Sequence, residues 1–131
     1  MSSEPAGEPY VLSTLVMPAH ANHLGVMHGG HMMSWMDMAA WVVATRAVSP
    51  DQTVYFKAID DCVWTASIHA GEVCEVRARL ERVGTSSLTV ALHATAEDPA
   101  RGETRDVCRA TFTMVTAEDG RAVPVRLRDG P

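Results

Sequence analysis

Residues 31–48, HMMSWMDMAAWVVATRAV, contain no glycine or proline and stop just before Ser49-Pro50. Such a run forms one helix of about 27 Å at 1.5 Å per residue. Its apolar residues lie on almost every side instead of forming one stripe. A helix that is hydrophobic all round is buried all round, so the rest of the chain must wrap it. That requirement limits the possible folds more than any other feature of the sequence.

The flanking segments supply the wrapping. Tyr10 to Met17 alternates and is rich in β-branched residues, which predicts a strand. After the helix come four strand-like stretches, at 53–59, 73–83, 86–96 and 104–117. Gly84 with Thr85, and Asp98 to Gly102, provide turns between the last three. Long consecutive strands joined by short turns give an antiparallel sheet. The expected fold is α+β, a five-stranded antiparallel sheet around one long central helix. One such sheet covers one flank of the helix, so a second subunit is expected on the other. The expected organisation is a flexible tail over 1–9, a single domain over 10–125 and a C-terminal tail over 126–131.

Composition excludes several classes. At 131 residues the chain accommodates one domain. A net charge of −5, with Lys57 the only lysine, argues against a nucleic-acid surface. Cys62, Cys74 and Cys108 are odd in number and show no C-x-x-C spacing, as expected of reduced thiols in a cytoplasmic protein. MSSEPAGEPY has no secretory pattern. The apolar helix is interrupted by Ser34, Asp37, Thr45 and Arg46, too polar for a membrane span.

Candidate chemistry gathers around the helix and the long loop before it, PAHANHLGVMHGG. Asp37 sits mid-helix between Met36 and Met38, where an aspartate is seldom buried unpartnered. It is either a carboxylate at a wet or neighbour-bound edge, or one held in an apolar pocket to activate water or attack an electrophile. Gly25, Gly29 and Gly30 precede the helix, whose free N–H groups suit a developing oxyanion. They equally suit a tight loop-to-helix turn. His20, His23, His28 and His31 match no zinc spacing, and no metal is expected. The helix methionines and tryptophans read as core, with an acyl-lining role open to them.

These residues resemble a known family. MPAHANHLGVMHGGHMMSWMDMAA is similar to the signature of hotdog-fold acyl-CoA thioesterases of the bacterial and brain-type hydrolase group. The matching positions are Pro18, Asn22, Gly25, His28-Gly29-Gly30 and Met36-Asp37. WTASIHAGEVCEVRARLERVGTSSLTV and ATFTMVTAEDGRAVPV resemble its later strands, so the likeness runs from about Leu12 to Val125.

The resemblance implies a hotdog fold and hydrolysis of acyl-CoA to free acid and coenzyme A, with no cofactor beyond the coenzyme A of the substrate. It also implies a homodimer as the basic unit, in this family often a hexamer built as a trimer of dimers, with the active site shared between subunits. Asn22 of one subunit would hold the water or the thioester, and Asp37 of another would act as base or nucleophile. Backbone at His28, Gly29 and Gly30 would polarise the carbonyl. The turn Arg82-Val83-Gly84-Thr85-Ser86-Ser87 would lie near the coenzyme A phosphates or pantetheine. The family often has arginine where this chain has Thr85, and Lys-Pro before the turn that here reads Ala70-Gly71-Glu72. A non-catalytic acyl-CoA-binding domain and a hotdog hydratase or dehydratase using His23 or His28 are the competing readings.

Overall fold

The computed structural model describes residues 9–128. The tail expected over 1–9 therefore lies outside the described residues except for Pro9. The strands are β1 (Tyr10–Leu15), β2 (Thr53–Trp64), β3 (Val73–Val83), β4 (Ser87–Asp98), β5 (Glu103–Glu118) and a two-residue β6 (Arg121–Ala122). The one α-helix, α1, spans Gly29–Ala47, two residues ahead of the expected start, because the N-cap is His28 and both glycines are already helical. The sheet order is β1-β3-β4-β5-β2, all antiparallel, with β6 hairpinned onto β5. This is the hotdog arrangement, with β6 as a sixth strand too short to show a pattern in sequence.

Strand alternation sends one set of side chains toward α1. Cys74, Val76 and Ala78 on β3, Leu88, Val90, Leu92, Ala94 and Ala96 on β4, and Ala110, Phe112 and Met114 on β5 are buried. From α1 they meet Met32, Trp35, Met36, Ala39, Ala40 and Ala44. Three alanines in that set bring the helix backbone close to the sheet, while Met32 and Met36 fill the irregular space at its N-terminal half.

The apolar helix is not enclosed by its own sheet. Ser34, Asp37, Met38 and Trp41, spaced i, i+3, i+4, i+7, form an exposed stripe opposite the buried one. Met38 and Trp41 are 50% and 49% exposed. Edge strand β2 has a free side too, with Tyr55, Phe56, Ile59, Val63 and Trp64 exposed. The missing stripe in the sequence is thus two stripes, one facing the sheet and one left uncovered.

Residues 126–128, expected as tail, are docked instead. Ser49 N–H donates to Arg126 O at 2.7 Å and Arg128 N–H to Ala47 O at 2.8 Å. The Arg128 guanidinium donates to Val48 O and Thr45 O at 2.9 and 3.0 Å, satisfying carbonyls at the helix C-terminus where a cation is favoured. The domain therefore reaches at least Arg128.

Because Ala40 is fully buried against the sheet, Ala40→Leu is expected to destabilise the fold by about 1–3 kcal/mol through overpacking. Urea unfolding checks this, and an unchanged midpoint would mean that the helix does not sit tightly on the sheet.

Candidate active site at the helix N-terminus

The loop from Val16 to His28 is threaded by backbone hydrogen bonds to a second loop, residues 65–72. Met27 N–H donates to Ile68 O at 2.7 Å, Ala70 N–H to Gly25 O at 3.0 Å, and Val16 and Glu72 close the far end. Gly25 and Gly71 adopt φ of 77° and 95°, which glycine reaches without steric cost.

The second loop is itself held by an ion pair. Arg105 Nη1 and Nη2 donate to Glu72 Oε2 and Oε1, both at 2.8 Å, in a bidentate fork. Arg105 also donates to Ser67 O, and Glu72 Oε1 accepts from His69 N–H at 2.8 Å. The hydrogen bonds from Arg105 hold the Glu72 carboxyl well down, at about 2. Pattern reading of the sequence missed both residues, since an ion pair between distant strands leaves no local signature.

On this support sits Asn22. Its Oδ1 accepts from Leu24 N–H at 2.9 Å and from Val26 N–H at 3.2 Å. The two backbone donors fix the amide orientation, leaving Nδ2–H₂ as the free group. Asn22 is therefore available as a donor only.

At the helix start, His28 Nδ1 accepts from Gly30 N–H at 3.0 Å, a side-chain N-cap. His28 N–H donates to His20 O. The N–H of Gly29 then has no acceptor among the described residues. A Cβ at Gly29 would meet nothing within 4 Å, whereas at Gly30 it would lie 3.2 Å from the His28 ring. Of the three backbone groups expected to polarise a carbonyl, Gly29 is thus the open one and Gly30 is capped. Gly29 also lines a shallow cavity of about 410 Å³ with Val26, Met27, Trp64, Ala66 and Ser67.

Three of the four histidines in this region, His20, His28 and His31, have structural partners. His20 Nδ1 accepts from Met17 N–H at 3.0 Å, and its ring lies edge-on between His31 and Trp35 at 5.2 and 5.1 Å. No group of three His, Cys, Asp or Glu side chains among the described residues has metal-binding geometry.

Asp37 lies about 12 Å along the helix from Gly29, in the uncovered stripe beside Met38 and Trp41. Partial burial raises its carboxyl above the ordinary aspartate value, because a less hydrated carboxylate is costlier to ionise. Burial pushes the Cys74 and Cys108 thiols up to about 12, which removes them as nucleophiles.

The Arg82–Ser87 turn is elsewhere. Gly84 N–H donates to Ser87 O at 2.7 Å, and Thr85 O and Ser86 O accept from Val125 and Thr116. A Cβ at Gly84 would fall 2.6 Å from Ser87 Oγ, so a larger residue there would turn the Ser87 hydroxyl aside. The turn adjoins the Thr53 end of β2, since Ser87 pairs with Val115 and Val115 with Tyr55. The Gly29 cavity adjoins the Trp64 end, where Trp64 pairs with Cys108, roughly 23 Å from Val115 along β5 at 3.3 Å per residue. One chain does not bring the turn and the Asn22 loop together.

A helix cradled by a curved antiparallel sheet, with a glycine-rich loop at its N-terminus and a lone acid on its open flank, defines a hotdog domain of hydrolase type. The chain belongs to the thioesterase superfamily, whose family model matches residues 24–103. An uncharacterized acyl-CoA thioester hydrolase of Zymomonas mobilis is 33% identical over 118 residues, 89% of this chain and 76% of that one. Mouse acyl-coenzyme A thioesterase 11 is 32% identical over 105 residues, covering 79% of this chain. The chain spans just 17% of the mouse enzyme's length. Among solved structures, the hexameric thioesterase of Yersinia pestis superposes with a TM-score of 0.81 at 29% identity, covering 94% of this chain and 98% of that one. No helix among the described residues is long and apolar enough to cross a membrane.

The depressed Glu72 carboxyl fixes a pH dependence. A folded-state value of about 2 against 4.5 otherwise contributes stability that is fully present above about 4.5 and lost as pH falls toward 2. Glu72→Gln should lower stability at neutral pH by about 1–3 kcal/mol and flatten that acid limb. Unfolding free energies measured from pH 7 down to 2 check it, and an unaltered acid limb would show that the clamp carries no weight.

Proposed function

We propose that this chain is an acyl-CoA thioesterase whose active site is completed by a second copy. The observation that carries the reading is Asp37, a carboxylate raised by partial burial on a helix stripe, beside Met38 and Trp41, that its own sheet leaves uncovered. The likeness to a thioester hydrolase of Zymomonas and the hexameric state of the Yersinia thioesterase support it.

The geometry of the pairing follows from β2. An edge strand with free backbone groups invites a partner strand, and in a twofold homodimer two β2 strands meet antiparallel. The Thr53 end of the partner's β2 then lies beside the Trp64 end of this one. That brings the partner's Arg82–Ser87 turn to the end that carries Asn22 and Gly29, where Arg82 is positioned for a coenzyme A phosphate. The same pairing covers Met38 and Trp41, which further dehydrates Asp37 and strengthens it as a base.

In this scheme Asp37 of one subunit takes a proton from water, and the resulting hydroxide attacks the thioester carbonyl. Gly29 N–H and Asn22 Nδ2–H₂ of the other subunit stabilise the tetrahedral oxyanion. Collapse breaks the C–S bond, the proton passes from Asp37 to the leaving thiolate, and the products are free acid and coenzyme A. Direct attack by Asp37, forming an anhydride that water then cleaves, uses the same groups. No cofactor enters beyond the coenzyme A of the substrate, and the dimer is the unit from which a hexamer would be built.

Asp37→Asn should lower kcat by about 10²-fold or more while leaving the assembly unchanged by sedimentation, and a variant with near wild-type kcat removes Asp37 from the mechanism. Asn22→Asp keeps the two backbone acceptor bonds and removes just the donor. It should cost about 10²-fold in kcat with little change in melting temperature, and retained activity would show that the donor is not used. Sharing is tested by mixing Asn22→Ala and Asp37→Ala subunits. One site in each mixed dimer is then intact, so activity should return to roughly a quarter of wild type. Absence of recovery, with exchange verified by mass spectrometry, sinks the shared site.

A further inference from the structure

The sheet face turned away from α1 carries an unusual alignment of charge. Arg77 on β3, His93 on β4 and Arg109 on β5 stand directly opposite one another across three strands. Arg79 lies two residues along β3, opposite Ala91. Arg77 and Arg109 thus flank His93 on either side, in a chain with a net charge of −5 and only 11 lysines and arginines to place. Two of the row have partners, Arg77 with Glu75 and His93 with Asp106, each at 2.9 Å. Arg79 and Arg109 have no carboxylate within 4.0 Å among the described residues.

These side chains line a groove of about 500 Å³, a volume ordinary for small-molecule sites. Ala91 forms its floor because it ends at Cβ, and Val63 adds an apolar wall. The same β2 side carries Asp61, which has φ of 51° in a bulge where the β2–β5 register shifts between Asp60 and Val63. A non-glycine residue in the left-handed region is uncommon, and bulges re-aim side chains. Two unpaired guanidiniums thus face an apolar floor, with a re-aimed carboxylate on the β2 side.

We propose that this groove is a binding site for a phosphate-bearing small molecule. Arg79 and Arg109 hold the phosphate, the fork geometry of guanidinium suiting it, and Asp61 accepts a hydrogen bond from a hydroxyl or amine on the same ligand. The site lies on the face of the sheet opposite the helix, so it does not depend on the thioesterase reading. Its ligand chemistry has two sources, a free phosphorylated metabolite or the nucleotide end of coenzyme A.

Isothermal titration of the full chain in about 50 mM salt, where surface charge is only partly screened, tests the site with inorganic pyrophosphate and with ribose 5-phosphate. Both should bind wild type. Arg79→Ala and Arg109→Ala should each weaken both probes by about tenfold or more, with melting curves verifying the fold. Asp61→Gly, which tolerates the backbone angle, should weaken ribose 5-phosphate but not pyrophosphate. Competition by coenzyme A would assign the site to its nucleotide end, and unchanged binding in its presence to a separate metabolite. Either result supports the site. Absence of binding by both probes, or binding indifferent to the arginine variants, overturns it. So does an arginine variant that breaks the assembly apart while wild type binds neither probe, because the face is then an interface between copies.

Discussion

The contact between α1 and the curved sheet governs everything else in this molecule. Ala39, Ala40 and Ala44 let the helix lie close to β3 and β4, while Met32, Trp35 and Met36 occupy the wider end. That contact has a fixed rotation, because moving the helix by one residue would turn about 100° of its surface. Fixing the buried stripe therefore fixes the open one. Asp37, Met38 and Trp41 are presented outward as a consequence of what is packed inward, and the position of the acid is a packing result before it is a chemical one.

Around the helix N-terminus the hydrogen bonds form a hierarchy. The Glu72–Arg105 fork holds the 65–72 loop to β5, that loop holds Met27 and Gly25, and the Asn22 side chain closes on its own loop through Leu24 and Val26. Each layer uses up polar groups and so leaves particular ones free. His28 takes the N–H of Gly30 but cannot also reach that of Gly29. Two donors remain unspent among the described residues of this region, Asn22 Nδ2–H₂ and Gly29 N–H, with the Glu72–Arg105 pair holding the loop behind them. Preorganisation of that kind is what makes donors useful for stabilising an oxyanion.

Much of this was legible in the linear chain. The uninterrupted helix, the run of alternating strands and the Gly84 and Asp98–Gly102 turns depend on local periodicity and turn chemistry, which sequence records directly. The glycines and Asp37 were legible as a pattern, and Asn22 through the resemblance of its loop to the family signature. The docking of 126–128 was not, because its bonds run to residues near 48, and β6 was too short to show a pattern. Glu72–Arg105 and the arginine face of the sheet were also hidden, since both arise only when distant strands are brought into register.

What the sequence determined by itself was therefore the set of elements and the chemical groups they carry. A lone aspartate in an apolar helix and an asparagine-glycine loop before it are properties of order and spacing. Tertiary structure decided how those groups are brought together, because their loops and strands meet only through contacts far apart in the chain. It tied the Asn22 loop to residues 65–72 and separated it from the Arg82–Ser87 turn by most of the length of β2, whereas the bonds that leave Asn22 a donor and cap Gly30 stay within four residues. Local order sets what each residue is able to offer, and long-range packing sets where that offer is presented.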